Sequence, residues 1–301
     1  MYQKILLTGV NGQVGHALQK AFSQNPALAN IVVSLDRNQL DLTHQDVIRR
    51  AVETVQPDLI INPAAYTAVD KAESEPELAH AINATAPQVL AGEASRVGAR
   101  LIHFSTDYVY AGNKIGAYVE ADATQPLSVY GKSKLAGEEA IRAAGVEHLI
   151  FRTSWVYGAY GKNFMKTILR LAGEREELRI VADQVGAPTS STSIAHAVLS
   201  VIANWQSGVA GTYHLVNAGQ TSWHGFAMAI VEEYNRIQMA YGLPLLKASP
   251  DRILAITTQE YPTPAVRPAN SVLDCSKLAR DFAVTLPDWH AALIAELQAL
   301  D

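Results

Sequence analysis

The sequence predicts an α/β fold, with a doubly wound parallel sheet and a smaller α/β lobe that carries the substrate. Three observations predict it. A glycine-rich turn follows the first apolar run, short apolar strands alternate with helical patterns through the first half, and polar residues follow the ends of those strands. Strands that are apolar throughout are typical of a sheet covered by helices on both faces.

The elements of the first half follow from the alternation of the two patterns. Apolar runs predict strands at residues 5–7, 31–35, 57–62, 100–104 and 148–152. Helical patterns fall at residues 13–24, 41–56, 76–97 and 129–144. Because each strand is separated from the next by a helix, the strands are predicted to be parallel, with ligands outside their C-terminal ends.

The second half is less regular. It predicts helices at residues 192–205, 224–241 and 289–300, a strand at 211–216, and a proline-rich loop at 261–268. We therefore expect two interleaved units. Residues 1–155 and about 188–220 would form a dinucleotide-binding domain, and residues about 156–187 and 221–301 a substrate lobe.

Composition excludes several classes of function. The chain has 301 residues, of which 49% are apolar, and a formal charge of −5, so a nucleic-acid partner is not indicated. Cys275 is the single cysteine, which excludes a disulfide within the chain. No apolar run approaches the roughly 18 residues of a membrane span, and no signal peptide precedes the first strand. We expect a cytoplasmic protein without a membrane partner.

The turn from Thr8 to Gly15 has the glycine spacing of a phosphate cradle. Gly9 suits a sharp turn from strand to helix, Gly12 leaves room for a pyrophosphate, and Gly15 lets the helix pack on the strand. The helix N-terminus would then bind the phosphate charge. The alternative is an ordinary strand–turn–helix without a ligand.

Asp36 ends the second predicted strand, about 20 residues beyond the glycines, where a carboxylate binds the adenosine ribose. Arg37 follows and could instead bind a 2′-phosphate. The alternative is that Asp36 only caps the next turn.

Tyr130 and Lys134 lie four residues apart on a predicted helix and therefore share one face. A neighbouring ammonium lowers the pKa of a phenol and brings it toward the range of a general acid or base. The alternative is a surface Tyr–Lys pair.

Ser105 and Thr106 follow a strand end, where a hydroxyl could bind a substrate oxygen. The alternative is that these hydroxyls only accept hydrogen bonds from the backbone N–H groups of a turn.

These motifs resemble the extended short-chain dehydrogenase/reductase superfamily and, within it, the dTDP-4-dehydrorhamnose reductase family, which completes dTDP-L-rhamnose synthesis. The resemblance covers nearly the whole chain. The stretches that carry it are residues 12–15, 68–73, 105–109, 129–138, 151–157, 183–189 and 261–268.

The resemblance implies a Rossmann-like fold and an NADPH- or NADH-dependent oxidoreductase that reduces the C4 keto group of a dTDP-sugar. The catalytic residues it implies are Thr106, Tyr130 and Lys134. The implied cofactor-binding residues are Gly9, Gly12, Gln13, Val14, Gly15, Asp36, Arg37, Asp41, Leu42, Ala64, Ala65, Tyr66, Tyr130 and Lys134. The implied substrate-binding residues are Thr67, Val69, Thr106, Asp107, Tyr108, Trp155 and Arg267. Other nucleotide-sugar reductases or epimerases, and a non-catalytic regulatory subunit, are the alternatives.

One departure from the family concerns a metal. Some members bind Mg²⁺ between two subunits through glutamates, and the corresponding positions here are Ala17 and Thr192. These side chains are poor Mg²⁺ ligands. We therefore expect no metal site, and a monomer or weak homodimer rather than a dimer bridged by Mg²⁺.

Overall fold

The computed structural model describes residues 2–206 and 208–300 and confirms the α/β fold. Met1, Ser207 and Asp301, which the predicted domain bounds include, lie outside the described residues. The strands are β1 (Ile5–Leu7), β2 (Val32–Ser34), β3 (Leu59–Asn62), β4 (Arg100–Thr106), β5 (His148–Thr153), β6 (Val156–Tyr157), β7 (Leu178–Val181), β8 (Val185–Gly186), β9 (Thr189–Ser190), β10 (Gly211–His214), β11 (Thr221–Ser222), β12 (Ile253–Ile256) and β13 (Asn270–Ser271).

The helices follow the predicted bounds closely in the first half of the chain. They are α1 (Gln13–Ser23), α2 (Gln45–Val55), α3 (Val69–Ala72), α4 (Pro76–His80), α5 (Ala86–Val97), α6 (Val129–Ala143), α7 (Phe164–Glu174), α8 (Ser191–Asn204), α9 (Trp223–Ala240), α10 (Ser276–Phe282) and α11 (Trp289–Gln298). Short 3₁₀ turns cover Asp107–Val109, Pro250–Arg252 and Thr258–Glu260. The helix predicted over residues 76–97 is divided by a π-helical turn, Ala81–Thr85, between α4 and α5.

Six strands form one parallel sheet in the order β10-β5-β4-β3-β1-β2. The order reverses beside β1, which pairs with β2 on one side and with β3 on the other. In a doubly wound sheet this reversal leaves a crevice outside the C-terminal strand ends, because the flanking helices pass to opposite faces. The fold therefore places a ligand site between the ends of β1 and β3.

The strands bury side chains on both faces, as their apolar sequences predict. Ile5 and Leu7 of β1 point into a core shared with α1, α8 and α10. Leu6, between them, points into a second core shared with α2, α5 and α6. The alternation follows from the two-residue repeat of a strand.

A further core joins α7, α9 and α11 with β7 and β12, away from the six-stranded sheet. Its buried members come from residues 157–178 and 226–297, which fall in the predicted substrate lobe. Leu278 and Phe282 of α10 belong to that stretch of sequence but pack against the sheet core. The exact division between the two units remains a prediction.

Several short elements were not predicted. Strands β6, β8, β9, β11 and β13 have two residues each, too few to show a periodic pattern. Helix α7 does carry a start signal, because the Asn163 side chain caps it by accepting a hydrogen bond from the Lys166 N–H. Within residues 2–206 and 208–300, no helix is long and apolar enough to cross a membrane.

A buried ion pair fixes α6 against the sheet. Arg152 of β5 donates two hydrogen bonds to Glu138 of α6, at 2.9 and 2.6 Å, and a third to the Tyr110 hydroxyl. The Tyr110 hydroxyl also lies 2.7 Å from His214 Nε2, at the end of β10. This network holds α6 in a fixed position relative to β4 and β5.

Candidate active site

The glycine turn between β1 and α1 has the geometry that its sequence predicts. Gly9 has a φ of +58°, and a Cβ there would lie 2.8 Å from Ala64. A Cβ on Gly15 would lie 2.2 Å from the Gly9 carbonyl oxygen. Both positions therefore require glycine for the packing of the protein itself. A Cβ on Gly12 would meet only the Gly9 carbonyl oxygen, at 3.3 Å, so its absence mainly keeps the cavity wall open.

The N-terminus of α1 fits an anionic group. Its N-cap residue is Gly12, which has no side chain that could accept a hydrogen bond from the first turn. Free backbone N–H groups and the helix dipole together favour a phosphate at such a position. The cradle therefore suits the pyrophosphate of a dinucleotide.

A cavity of about 460 Å³ runs from this turn along the C-terminal ends of β1 and β3 to α6. It passes the reversal in strand order, where the fold predicts a ligand. The predicted cofactor residues that line it are Gly9, Gly12, Gln13, Val14, Arg37, Asp41, Leu42, Ala64, Ala65, Tyr130 and Lys134. Thr67, predicted to bind substrate, also lines it. One continuous cavity thus joins the glycine cradle to the Tyr–Lys pair.

Three predicted cofactor residues do not line the cavity. Gly15 lies behind the turn, where it allows α1 to pack. Asp36 Oδ1 accepts hydrogen bonds from the Asn38 and Gln39 N–H groups, at 2.9 and 3.1 Å. The turn-capping alternative is therefore present in the structure, and its neighbour Arg37 lines the cavity instead. The Tyr66 hydroxyl donates to Glu75 at 2.7 Å.

The Tyr–Lys pair is buried rather than exposed on the helix surface. Tyr130 is 8% exposed and Lys134 is 1% exposed, and both border the cavity. The Ser128 side chain caps α6 by accepting a hydrogen bond from the Gly131 N–H. The surface-pair alternative is excluded by this burial.

The prediction that Lys134 lowers the pKa of the Tyr130 phenol is wrong for this structure. Burial raises the pKa of Tyr130 well above its usual range, and the Thr106 hydroxyl only partly opposes this. The Lys134 ammonium donates instead to the Phe104 carbonyl oxygen, at 2.6 Å, and lies 3.2 Å from His103 Nε2. Tyr130 is therefore a neutral phenol that carries its proton, as a general acid requires.

Thr106 and Asp107 form a buried polar cluster beside Tyr130. The Thr106 hydroxyl donates to Asp107 Oδ1 at 3.0 Å, and the Ser271 hydroxyl donates to Asp107 Oδ2. Burial raises the pKa of Asp107 to about 6 despite these hydrogen bonds. The Tyr108 ring meets the Tyr130 ring edge-on, with 5.4 Å between centroids, and Val69 packs against the same group.

Arg267 and Trp155, both predicted to bind substrate, are held by other residues. Arg267 forms a two-pronged ion pair with Asp70, at 3.0 and 2.7 Å, and so ties the proline loop to α3. Trp155 stacks on Trp223 at 3.6 Å and adopts a φ of +49°. That backbone region is costly for a residue with a side chain and is concentrated at functional sites. Neither residue lines the dinucleotide cavity.

Comparison with known proteins identifies the family. The family model described as RmlD substrate binding domain matches residues 3–301. The chain is 47% identical over 296 residues to the dTDP-4-dehydrorhamnose reductase of Burkholderia thailandensis, which covers 96% of each chain. This chain belongs to the dTDP-4-dehydrorhamnose reductase family.

Two further relatives agree. The dTDP-4-dehydrorhamnose reductase of Escherichia coli K12 is 46% identical over 298 residues, which covers 98% of this chain and 97% of that protein. The crystal structure of the Bacillus anthracis dTDP-4-dehydrorhamnose reductase in complex with NADP has a TM-score of 0.88 at 34% identity. It covers 99% of this chain and 100% of that chain. The resemblance inferred from the motifs is confirmed.

The two positions at which the resemblance implied glutamates are occupied by Ala17 and Thr192. Ala17 packs beside the sheet core, and Thr192 is an exposed residue of α8. Glu296 is buried, and it accepts hydrogen bonds from the Ser190 hydroxyl at 2.6 Å and the Ala159 N–H at 2.8 Å. Among residues 2–206 and 208–300, no three His, Cys, Asp or Glu side chains form a cluster that could hold a metal ion.

Sequence reasoning missed part of the cavity wall. The missed residues are Asn11, Leu40, Pro63, Ile82, Phe104, Thr153, Val156, Gly161 and Lys162. Ser105, which also lines the cavity, was a candidate hydroxyl together with Thr106. Several of the others adjoin predicted residues, so the strand-end rule could have found them. Gly161 and Lys162 lie in a loop without a pattern, and only the fold brings that loop to the cavity.

Proposed function

We propose that this chain reduces the C4 keto group of dTDP-4-dehydro-L-rhamnose to dTDP-L-rhamnose, with NADPH or NADH as the reductant. One observation carries the proposal. A buried tyrosine and a buried lysine lie on the wall of the same cavity that begins at the glycine cradle. A dinucleotide that fills this cavity would bring its reactive end to Tyr130.

The cofactor would be held along the cavity by groups that match its chemistry. The first turn of α1 would bind the pyrophosphate, and Arg37 would bind a 2′-phosphate. Lys134 would hydrogen-bond the ribose next to the nicotinamide. Thr153 Oγ1 is buried on the cavity wall without a hydrogen-bond partner in the described chain, so it is free to bind a polar group.

The cofactor supplies the hydride that reduces the C4 carbonyl. Tyr130 would donate its phenolic proton to the carbonyl oxygen as negative charge develops there, and the Thr106 hydroxyl would orient that oxygen. Stabilising this developing charge in a site that excludes water is the main source of rate enhancement. The raised pKa of Tyr130 keeps the proton on the phenol at neutral pH.

The substrate would lie on the far side of Tyr130. Thr67, Val69, Asp107 and Tyr108 come from the segments that follow β3 and β4, and we assign them to the sugar. Trp155 and Arg267 would complete the nucleotide-binding side. Arg267 would have to share its guanidinium between Asp70 and the diphosphate, since both pair with its planar fork.

The decisive experiment follows the oxidation of NADPH by purified protein supplied with dTDP-4-dehydrorhamnose, with product analysis by NMR. Turnover to dTDP-L-rhamnose supports the proposal. Turnover only with a different nucleotide-sugar would favour another reductase or epimerase of the superfamily. Tight binding of cofactor without any turnover would favour a regulatory subunit. Size-exclusion chromatography with and without Mg²⁺ tests the proposed monomer or weak homodimer.

A further inference from the structure

A buried chain of polar side chains ends at Lys134, and its other members do not line the cavity. The Thr8 hydroxyl donates to Asn62 Oδ1 at 2.6 Å, and Asn62 Nδ2 lies 3.1 Å from His103 Nδ1. His103 Nε2 lies 3.2 Å from Lys134 Nζ. Asn62 and His103 are fully buried. The chain thus crosses the sheet from β1 through β3 and β4 and ends at the ammonium.

Lys134 has few other partners. Its ammonium donates to the Phe104 carbonyl oxygen, and His103 is its one side-chain partner among the described residues. The acidic group that acts on it is Glu138, one turn along α6, which is held by Arg152. Tyr130 on the same helix is a neutral phenol, and His103 is a neutral imidazole because burial lowers its pKa far below the usual range.

Burial lowers the pKa of Lys134 to about 8, and Glu138 opposes the shift only in part. The side chain is therefore close to losing its proton at neutral to mildly alkaline pH. Any group that accepts a hydrogen bond from the ammonium will hold the proton on it, because hydrogen bonding to the charged form favours that form.

A neutral imidazole has one donor and one acceptor nitrogen. When Lys134 is an ammonium, His103 Nε2 must accept, so Nδ1 carries the proton. This state requires the Asn62 amide to turn its Oδ1 toward Nδ1, in place of the Nδ2 that faces it in the described orientation. When Lys134 is an amine, Nε2–H can donate to it and Nδ1 accepts from the Asn62 amide nitrogen. The Thr8 hydroxyl can donate or accept, so it serves both orientations of the amide. The tautomer of His103 is thus coupled to the charge on Lys134.

We propose that His103 is a positioning residue that accepts a hydrogen bond from the Lys134 ammonium, and thereby keeps this side chain charged and directed at the cofactor cavity. Its consequence for turnover rests on the proposed function, whereas its effect on Lys134 does not. Without the acceptor, only the Phe104 carbonyl and the cavity remain for three N–H donors.

Two substitutions of similar size separate this role from simple packing. The terminal amide of His103→Gln can place an acceptor near the position of Nε2. His103→Asn reaches only as far as Nδ1, so it keeps the Asn62 contact and removes the acceptor from Lys134. Loss of a hydrogen bond to a charged group should lower the pKa of Lys134 by about one unit.

The measurement is kcat/KM for the dTDP-sugar against pH at saturating NADPH. We expect the wild-type value to fall above about pH 8. The fall should begin about one pH unit lower in His103→Asn and near the wild-type position in His103→Gln. His103→Leu, a second variant without an acceptor, should behave like His103→Asn, and thermal melts verify that each variant is folded.

A second readout needs no turnover. The Kd for NADPH, measured by fluorescence, should rise with pH as Lys134 loses its charge, and should do so at lower pH in His103→Asn. If wild-type protein fails to reduce the sugar, the proposed function fails and this titration still tests His103. Identical pH dependence of Kd in wild type and His103→Asn, or equal shifts in the asparagine and glutamine variants, would overturn the inference.

Discussion

Replacing Arg37 with alanine should reduce the use of NADPH and leave the use of NADH unchanged. Arg37 lines the cavity, and its guanidinium makes no hydrogen bond or ion pair with any other residue that the structure describes. A 2′-phosphate would therefore not have to displace an existing partner. NADH lacks that phosphate and would lose nothing.

The size of the effect follows from the exposure of the side chain. Hydrogen bonds to charged groups contribute about 1.5–3 kcal/mol, and Arg37 is exposed, so the lower end applies. About 1.5 kcal/mol corresponds to roughly a tenfold loss in kcat/KM for NADPH. Asp36 would repel the same phosphate, but its Oδ1 atom is bonded to the following turn. We therefore expect the wild type to use both cofactors.

The assay determines kcat/KM for each cofactor at saturating dTDP-sugar, in wild type, Arg37→Ala and Arg50→Ala. Arg50 is an exposed arginine of α2 that lies outside the cofactor cavity, so its replacement controls for loss of surface charge. Equal losses with NADPH and NADH in Arg37→Ala would refute the assignment of the guanidinium to the 2′-phosphate. No loss with either cofactor would refute it as well.

Three further predictions concern the acid, the cradle and the metal. Tyr130→Phe should lower kcat by about 10²–10⁴-fold with an unchanged Kd for NADPH, and a near-native kcat would remove Tyr130 from the mechanism. Gly15→Ala should lower Tm and NADPH binding, since its Cβ would lie 2.2 Å from the Gly9 carbonyl oxygen. Gly92→Ala in α5, whose Cβ would meet nothing within 4 Å, should instead raise Tm by roughly 1–3 °C, and a loss in both variants would contradict the steric reasoning. Activity should survive EDTA because Glu296 is committed to hydrogen bonds within the protein, and loss reversed only by Mg²⁺ would show a metal site.

The sequence by itself determined the fold class and predicted the two halves of the candidate site. Glycines at 9, 12 and 15 after a buried strand predict one kind of turn. Backbone geometry and close packing leave no room for a Cβ at Gly9 and Gly15. Tyr130 and Lys134 were found for a similar reason, since helical periodicity places them on one face wherever the helix lies. These are local constraints, and local constraints can be read from a sequence.

The tertiary structure decided the hydrogen-bond partners of the polar groups. The sequence spacing predicted that Lys134 acts on Tyr130, but in the fold the ammonium contacts the Phe104 carbonyl oxygen and His103. In the fold, the Asp36 carboxylate accepts a hydrogen bond from the turn that follows it, whereas Arg37 lines the cavity. A hydrogen-bond partner or the depth of burial depends on segments far apart in the chain, because the free energy of a buried charge is set by everything packed around it. No spacing rule contains that information.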